Sequence, residues 1–332
     1  MVLLIGFSAL TLNVRLSSEY EFSVETDSGI VEGWAAILEM NTFPKGWGDL
    51  NVGFVNTKRL QDTLVELGWK TDHMYVKKDN LTMATVQDAV EWLAGKTGPD
   101  DVALFYIFTH GAWMQREIKW GDWFPATWAR VDTAKRVLMI DTCRAAAFIE
   151  ETRNDPNPHI SMANCLASEL AWAGIPEEGL PIVGSVWNYY FTNALRNSTA
   201  DMDDDGFVSV EEAFNFSMPL VQRYMNQTVF VVPEFLQQYH DLGVFPENYA
   251  EFPHPVIDDQ LAGQLCLDLH YYALLTDLNV DGVVNIIDVS IVASAFGSKP
   301  GFADWNENAD VDGNGVVNIV DVTMVARDCG RI

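Results

Sequence analysis

Apolar positions along the first two thirds of the chain follow two alternating spacings. Short apolar runs bounded by charged or turn residues, the pattern of buried strands, occur at 34–40, 73–78, 103–111, 137–140 and 180–187. Apolar residues at helical spacing, or an Ala/Leu-rich composition, predict helices near 54–67, 83–94 and 162–173. This alternation predicts an α/β domain with a mostly parallel sheet and helices on both faces.

Two of the predicted strands end in residues that carry chemistry. One ends in His110 and Gly111, and the next is followed by Asp141 and Cys143. In an open parallel sheet, the working crevice lies outside the carboxyl ends of the strands. Adjacent strands therefore place a thiol beside an imidazole, the minimal set for covalent acyl transfer. A core cysteine and a satisfied histidine are each common alone, but their joint placement at strand ends favours catalysis.

These two strand ends, His-Gly and then Asp-x-Cys, resemble the caspase-type cysteine peptidases, a group that includes caspases, metacaspases, legumain and the transamidase that attaches lipid anchors. The stretch IDTCRAAAF is most similar to the legumain and transamidase form. The resemblance covers roughly 33–268 and implies the caspase-hemoglobinase-like α/β fold. It implies that Cys143 attacks as thiolate and that His110 moves the proton. It also implies that the amides of Gly111 and Cys143 hold the oxyanion.

The same resemblance suggests where a protein or peptide substrate binds. In several relatives the residue two before the nucleophile, here Asp141, lies in the primary specificity pocket. The segment after the strand at 180–187 lines that pocket in the family, which suggests Ser185 and Trp187. An acid there favours Arg or Lys before the scissile bond, as in metacaspases, whereas Asn selection, as in legumain, is the competing hypothesis. Transfer to an amine instead of water, and a non-catalytic binding or structural module on this fold, are further alternatives.

Charge and composition narrow the classes of partner. The chain has 332 residues, 48% of them hydrophobic, and a net charge of −27 from 47 acidic and 20 basic residues. Nucleic-acid binding needs a basic footprint, so this balance argues against it. The apolar run at 1–12 lacks a basic n-region and is interpreted as a clipped or atypical signal segment, with a first strand as the alternative. No later apolar stretch is long enough to span a membrane.

An acidic loop at 201–212, DMDDDGFVSVEE, fits the EF-hand pattern, with oxygen donors at positions 1, 3, 5, 7, 9 and 12 and a glycine at the sharp turn. The donors are Asp201, Asp203, Asp205, the carbonyl of Phe207, Ser209 and Glu212. Three close carboxylates repel one another without a cation, so the loop predicts calcium. A single loop without a paired EF-hand is more often a structural staple than a regulator.

The C-terminal region contains an internal repeat, in which 277–288 recurs as 310–321. Each copy places oxygen donors at the same loop positions, and an apolar helix follows. The first copy offers Asp277, Asn279, Asp281, the carbonyl of Val283, Asn285 and Asp288. The second offers Asp310, Asp312, Asn314, the carbonyl of Val316, Asn318 and Asp321. Both copies therefore predict calcium.

This duplication resembles a type I dockerin of the cellulosome kind and covers about 271–332. The resemblance implies a small all-α calcium-binding module whose partner is a cohesin on a scaffold or cell surface. The residues after loop position 9, which usually help to select the cohesin, are Ile286, Ile287, Ile319 and Val320. They are more apolar than the Ser/Thr pairs of cellulose degraders, which indicates a different kind of cohesin partner. The alternative is that these residues serve only the apolar core of the module.

The sequence thus predicts an N-terminal segment at 1–32, a peptidase domain at 33–268 and a dockerin at 271–332. The predicted function is that of a secreted cysteine endopeptidase, extracellular or attached to a cell surface through a cohesin.

Overall fold

Residues 31–241, 252–261, 263–279 and 284–329 are described by the computed structural model, so the predicted signal segment lies outside the described residues. The eight strands within these ranges are β1 (Gly33–Glu39), β2 (Met74–Lys78), β3 (Val102–Phe108), β4 (Lys135–Asp141), β5 (Ile160–Ala163), β6 (Ala173–Gly174), β7 (Gly184–Ser185) and β8 (Val256–Asp259). Six of them form one sheet in the order β2-β1-β3-β4-β5-β8, and β6 pairs with β7. All pairs of the large sheet are parallel except β5 with β8.

Helices cover both faces of this sheet. The α-helices are α1 (Val55–Glu66), α2 (Met83–Lys96), α3 (Gly111–Trp113), α4 (Trp120–Trp128), α5 (Ala146–Ile149), α6 (Val186–Ala194), α7 (Val210–Tyr224), α8 (Pro233–Asp241), α9 (Leu269–Leu274), α10 (Ile286–Ser294) and α11 (Ile319–Asp328). Alternate strand residues enter two separate apolar cores. Helices α1, α6 and α7 contribute to one core, and α2 and α4 to the other. The predicted α/β architecture is confirmed.

Most of the predicted elements match observed ones. The predicted strands at 34–40, 73–78, 103–111 and 137–140 correspond to β1, β2, β3 and β4, and the predicted helices at 54–67 and 83–94 correspond to α1 and α2. Gly68, just beyond α1, has a φ of 87°, a left-handed conformation that favours glycine and stops the helix. Thr82 begins α2 with a capping box, in which its side chain accepts from the amide of Thr85.

Two predicted elements are wrong. Residues 162–173, predicted as a helix, begin inside β5 and continue as turns and irregular backbone up to β6. Their Ala and Leu content favours a helix only weakly, and the pairing of β5 with β4 and β8 overrides it. Residues 180–187, predicted as a strand, contain only the two residues of β7 before α6 begins. The helix starts there because the Ser185 side chain accepts from the amide of Asn188.

A small all-α module follows the large domain, as predicted. Its helices α10 and α11 pack around a core that includes Val292, Val317 and Val325. It contacts the start of the sheet, where Arg327 Nη1 lies 3.3 Å from Asp100 Oδ2. Asp100 precedes β3, so this contact lies at the end of the sheet opposite to the carboxyl ends of β3 and β4.

None of the helices in the described ranges combines the length and the apolar character that crossing a membrane requires.

Candidate active site

Strand register brings the predicted histidine and cysteine together. Strands β3 and β4 are parallel neighbours, and Phe108 at the end of β3 pairs with Asp141 at the end of β4. His110 and Cys143 each lie two residues beyond this pair, so both emerge from the same edge of the sheet. Both residues also line the two cavities described below. The sequence-based expectation of a neighbouring thiol and imidazole matches this geometry.

The glycine after the histidine is required by close packing against the nucleophile. A Cβ atom at Gly111 would lie 2.1 Å from the carbonyl oxygen of Cys143, which is shorter than any tolerable contact. Any side chain at this position would therefore displace the backbone of the cysteine. This contact explains the His-Gly pair in physical terms, because the backbone of Gly111 must pass directly beside Cys143.

A backbone carbonyl orients the imidazole of His110. Its Nε2 lies 2.7 Å from the carbonyl oxygen of Gly48, and the rings of Phe43 and Trp47 pack against it. A carbonyl only accepts hydrogen bonds, so Nε2 carries the hydrogen. In the neutral ring Nδ1 is then the unprotonated nitrogen, available as a base. Gly48 could not be predicted from the sequence, because it contributes only a main-chain acceptor.

Cys143 as a whole residue is partly exposed to solvent. Burial raises its pKa above the ordinary cysteine value, and the amide of Ala171 and the charge of Arg144 counteract that effect only in part. The neutral thiol is therefore the resting form near pH 7, and a base must remove its proton before it can act as a nucleophile. The unprotonated nitrogen of His110 is a suitable acceptor for that proton.

The prediction that Asp141 lines the specificity pocket is contradicted by its burial. Its side chain is fully enclosed. The carboxylate accepts hydrogen bonds from Tyr106 at 2.9 Å, Asn164 at 2.6 Å and Ser185 at 2.9 Å. As the last residue of β4, it still lies within the sheet and beneath the start of α6. Burial raises its pKa to about 7 despite these donors.

Ser185 and Trp187 do not line a pocket beside the thiol either. Ser185 caps α6, donates to Asp141 and accepts from the amide of Asn188. Trp187 is buried in the core below the sheet edge. Both residues lie on α6 or its cap, and Ser185 contacts the end of β4 through its hydrogen bond to Asp141.

Two cavities meet at the dyad. The larger, of about 1030 Å³, carries both charge signs, with Arg116, Lys119 and Arg144 facing Asp122 and Glu151 around its wall. The smaller, of about 290 Å³, has a mostly apolar wall. Apart from His110, its only charged wall residue within the described ranges is Glu178. His110, Cys143 and Leu170 line both cavities.

The loop at 201–212 is built to hold a cation. Carboxylate oxygens of Asp201, Asp203 and Glu212 lie within 4.8 Å of one another. The amide of Gly206, where φ is 94°, donates to Asp201 Oδ2 at 2.9 Å. The other oxygen, Oδ1, is buried and has no hydrogen-bond partner within the described residues. This donor set of hard oxygens fits calcium.

The second dockerin loop repeats the same arrangement. Oxygens of Asp310, Asp312 and Asp321 lie within 4.8 Å of one another. The amide of Gly315 donates to Asp310 Oδ2 at 2.8 Å, while Asp310 Oδ1 is buried and unpartnered within the described residues. The two loops therefore share both the hydrogen-bond pattern and the orphaned oxygen, and calcium fits both.

The remaining predicted donors lie on the same loops. Asp205, Phe207 and Ser209 belong to the turn at 201–212, and Asn314, Val316 and Asn318 belong to the turn at 310–321. In the first dockerin loop, the amides of Asn279 and Asn285 donate to the carboxylate of Asp288, and Asp277 is buried. Two predicted donors of that loop, Asp281 and Val283, lie outside the described residues.

The apolar residues after loop position 9 are on the surface of the dockerin. Ile286 is 72% exposed and Ile319 is 64% exposed, and their neighbours Ile287 and Val320 are exposed as well. They do not contribute to the apolar core of the module. A matched apolar pair at the start of α10 and of α11 is thus available to a partner.

A mostly parallel sheet that presents a cysteine and a histidine at adjoining strand ends defines the class of α/β cysteine peptidase-like domains. The family model of the caspase domain matches residues 32–215, which is more than half of the chain. The protein therefore belongs to the caspase domain family. A second family model, that of the dockerin type I domain, matches residues 275–328. The C-terminal module is a dockerin.

Among solved structures, the chain is similar to the crystal structure of caspase-1 from Spodoptera frugiperda. The two share 15% sequence identity with a TM-score of 0.49, and the match covers 71% of this chain and 90% of that chain. A search of curated proteins finds no match to the chain.

Proposed function

We propose that this protein is a secreted cysteine endopeptidase that uses a dyad of Cys143 and His110 and is tethered to a cohesin through its dockerin. The observation that carries the proposal is the orientation of His110. Its Nε2 is engaged by the carbonyl of Gly48 at 2.7 Å, which leaves Nδ1 as the base, at the strand end beside Cys143. A histidine with only a structural role does not need a defined tautomer next to a thiol.

In this proposal His110 Nδ1 accepts the thiol proton, and the Cys143 sulfur attacks the carbonyl carbon of the scissile peptide. The amides of Gly111 and Cys143 hold the oxyanion of the tetrahedral intermediate. His110 then returns the proton to the leaving amine, and the carbon–nitrogen bond breaks. Water, deprotonated by the same imidazole, hydrolyses the acyl-enzyme and releases the thiol.

The experiment that tests the dyad is a fluorogenic peptide panel with Arg, Lys, Asn or Asp before the scissile bond. We expect wild type to cleave at least one peptide, and Cys143→Ala and His110→Ala to lower kcat/KM by about 10³-fold or more. Cys329→Ala is the matched control, because it removes an exposed free thiol outside the site. Unchanged cleavage by Cys143→Ala would exclude the dyad.

Calcium is the ion proposed to bind three loops, at 201–212, 277–288 and 310–321. Type I dockerins are calcium-binding modules, which supports the two C-terminal sites. The loop at 201–212 has the same orphaned aspartate oxygen and the same glycine contact as the second dockerin loop, which supports a third site. Bound calcium would neutralise the clustered carboxylates and stabilise each loop.

The dockerin supports a cohesin partner on a scaffold or cell surface, with Ile286, Ile287, Ile319 and Val320 as the proposed selecting residues. Dockerins are typical of extracellular assemblies, which supports secretion.

A non-catalytic module on the same fold is the second candidate, and one observation favours it. Burial raises the pKa of the Cys143 thiol, whereas a preformed thiolate would need that pKa lowered. The peptide panel separates the two candidates, because the non-catalytic module cleaves none of the peptides. Transfer of the acyl group to an amine is distinguished from hydrolysis by adding an amine nucleophile and measuring the product mass.

A further inference from the structure

We propose that Glu178 is the acid that makes the smaller cavity selective for Arg or Lys immediately before the scissile bond. This inference rests on the proposed peptidase function and moves the specificity determinant from Asp141 to a different residue. It concerns the cavity of about 290 Å³ that opens beside Cys143 and His110.

The cavity wall suits a long side chain with an aliphatic stem. Its apolar wall residues include Leu50, Leu170, Trp172 and Tyr239. The rings of Trp172 and Tyr239 stack with centroids 5.7 Å apart. Methylene groups of a bound side chain lose contact with water against such a wall. A short side chain such as that of Asn or Asp does not reach as much of this surface.

Glu178 supplies the one carboxyl side chain on that wall within the described residues. It ends a single turn, Pro176–Glu178, that follows β6. One oxygen, Oε2, accepts from the amide of Ile175 at 3.1 Å, which holds the side chain in place. The other oxygen has no hydrogen-bond or ion-pair partner among the described residues, so it is available to a ligand.

No Lys or Arg lies beside Glu178 on the cavity wall formed by the described residues. Burial, with a contribution from Glu177, raises the pKa of its carboxyl above the ordinary value. A guanidinium or ammonium group in the cavity would relieve this cost by pairing with the free oxygen. The side-chain amide of Gln238, also on the wall, offers an oxygen that can accept a second hydrogen bond.

Other charges do not serve this role. Asp141 is fully enclosed and its oxygens are occupied by three donors. An Asp side chain from the substrate would place a second negative charge beside Glu178 and be repelled. The preference of the smaller cavity for a cationic side chain therefore depends on Glu178 as its acidic wall residue.

The test compares two peptides that differ only in Arg or citrulline before the scissile bond. Citrulline has nearly the same shape without the charge, so the ratio of the two kcat/KM values isolates the charge contact. We expect wild type to prefer Arg by about 10- to 100-fold and Glu178→Gln to lose that preference. The glutamine oxygen can still accept from Ile175, so the fold is expected to persist, which thermal melting checks.

Glu177→Gln is the matched control, because Glu177 is the neighbouring acid but is exposed and does not line the cavity. It should keep the preference for Arg. If Glu178→Gln retains the wild-type ratio, or Glu177→Gln loses it equally, the inference is overturned while the peptidase function stands.

A measurement of peptide binding tests the inference even if the protein cleaves neither peptide. Fluorescence anisotropy in the Cys143→Ala background measures the affinity of the same two peptides, with and without Glu178→Gln. Preferential binding of the Arg peptide that depends on Glu178 supports the cavity assignment even if wild type cleaves neither peptide, an outcome that would refute only the proposed function. Equal affinity for the two peptides in Cys143→Ala refutes the cavity assignment.

Discussion

The imidazole of His110 is held by a backbone carbonyl and aromatic rings, without a carboxylate partner among the described residues. The carbonyl of Gly48 accepts from Nε2, and Phe43 and Trp47 pack against the ring. Such an arrangement selects the tautomer without adding a negative charge beside the thiol. Burial raises the pKa of the Cys143 thiol, so its proton stays on the sulfur until a base accepts it.

The titration of Asp141 makes the stability of the fold depend on pH. Its pKa is raised to about 7, so between pH 4 and pH 7 the folded state holds a proton that the unfolded state has lost. Stability therefore falls as pH rises through this window. Asp141→Asn removes this titration. The loss in the free energy of unfolding between pH 4 and pH 7 is therefore expected to be smaller by a few kcal/mol, at about 1.4 kcal/mol per pKa unit.

Urea unfolding at pH 5, 6, 7 and 8 measures this effect. Asp72→Asn is the control, because Asp72 is exposed on the surface and has no hydrogen-bond partner among the described residues. An Asp141→Asn variant that loses stability with pH as steeply as wild type would contradict the assignment.

Because Gly111 packs closely against Cys143, adding one methyl group at position 111 is expected to lower kcat/KM strongly. Gly111→Ala places a Cβ 2.1 Å from the Cys143 carbonyl oxygen, so the backbone of the cysteine must shift. Since a misplacement of about 1 Å can cost about 100-fold in rate, we expect kcat/KM to fall by at least that factor. Gly95→Ala, where the added Cβ meets no neighbour, should leave kcat/KM unchanged. Wild-type kcat/KM in Gly111→Ala would contradict this account.

Strand ends were the part of the site that sequence could predict. The runs that became β3 and β4 are buried on both faces, so their positions and their ends were readable, and His110 and Cys143 follow from them. The specificity residues were not readable in the same way. Asp141 lies one residue inside the sheet instead of at its rim, and Glu178 reaches the site from an irregular connection with no periodic pattern.

The misassigned segment 162–187 shows the same limit at the scale of whole elements. Its composition favours a helix and then a strand, yet β5 pairs between β4 and β8, and α6 begins at the cap on Ser185. The position of β5 is decided by its pairing with distant strands, and the spacing of residues in the sequence does not reveal that pairing. This segment contributes part of the wall of the smaller cavity, including Trp172 and Glu178, so these wall residues could not be predicted from the sequence.

The loop at 201–212 pairs with a short segment near the dockerin in place of a second EF-hand. Ser209 forms an antiparallel bridge with Cys266, and Gln264 donates to Asp203 at 2.8 Å. Calcium bound by this loop would therefore also hold the connection between the two domains. This geometry agrees with the expectation of a structural staple.

Calcium removal is expected to destabilise the protein, since an ion that binds only the folded state adds about 2.7 kcal/mol at 100 times its Kd. Isothermal titration should count three ions in wild type and two in Asp201→Asn. Asp204→Asn is the control, because Asp204 occupies loop position 4, which contributes no ligand. Equal ion counts for Asp201→Asn and wild type would exclude this loop as a site.

At the scale of the whole molecule, the tether and the proposed catalytic edge lie at opposite ends of the sheet. Arg327 of the dockerin contacts Asp100 before β3, and Lys135 at the start of β4 lies over the ring of Tyr272. His110 and Cys143 lie beyond the other ends of the same strands. A partner bound to the dockerin can thus leave the cavities beside the thiol open to a protein substrate.

Cohesin binding is expected to depend on the exposed apolar pair. Replacing both Ile286 and Ile319 with Asp should weaken binding of the full chain to a cognate cohesin by about 100-fold or more, because a charge at the centre of an apolar contact is costly. Surface plasmon resonance against a panel of cohesins measures this. Phe302→Asp, at an exposed apolar position away from this pair, is the control. Equal cohesin affinity of the double variant and wild type would refute the assignment.

Covalent labelling shows whether Cys143 is a nucleophile that His110 activates. The full chain is treated with a stoichiometric peptidyl acyloxymethyl ketone that carries Arg at its reactive end, and the labelled cysteine is mapped by mass spectrometry. We expect one label on Cys143, none on the exposed Cys329, and loss of labelling in His110→Ala. Labelling of Cys329 in preference to Cys143, or equal labelling of Cys143 without His110, would contradict this assignment.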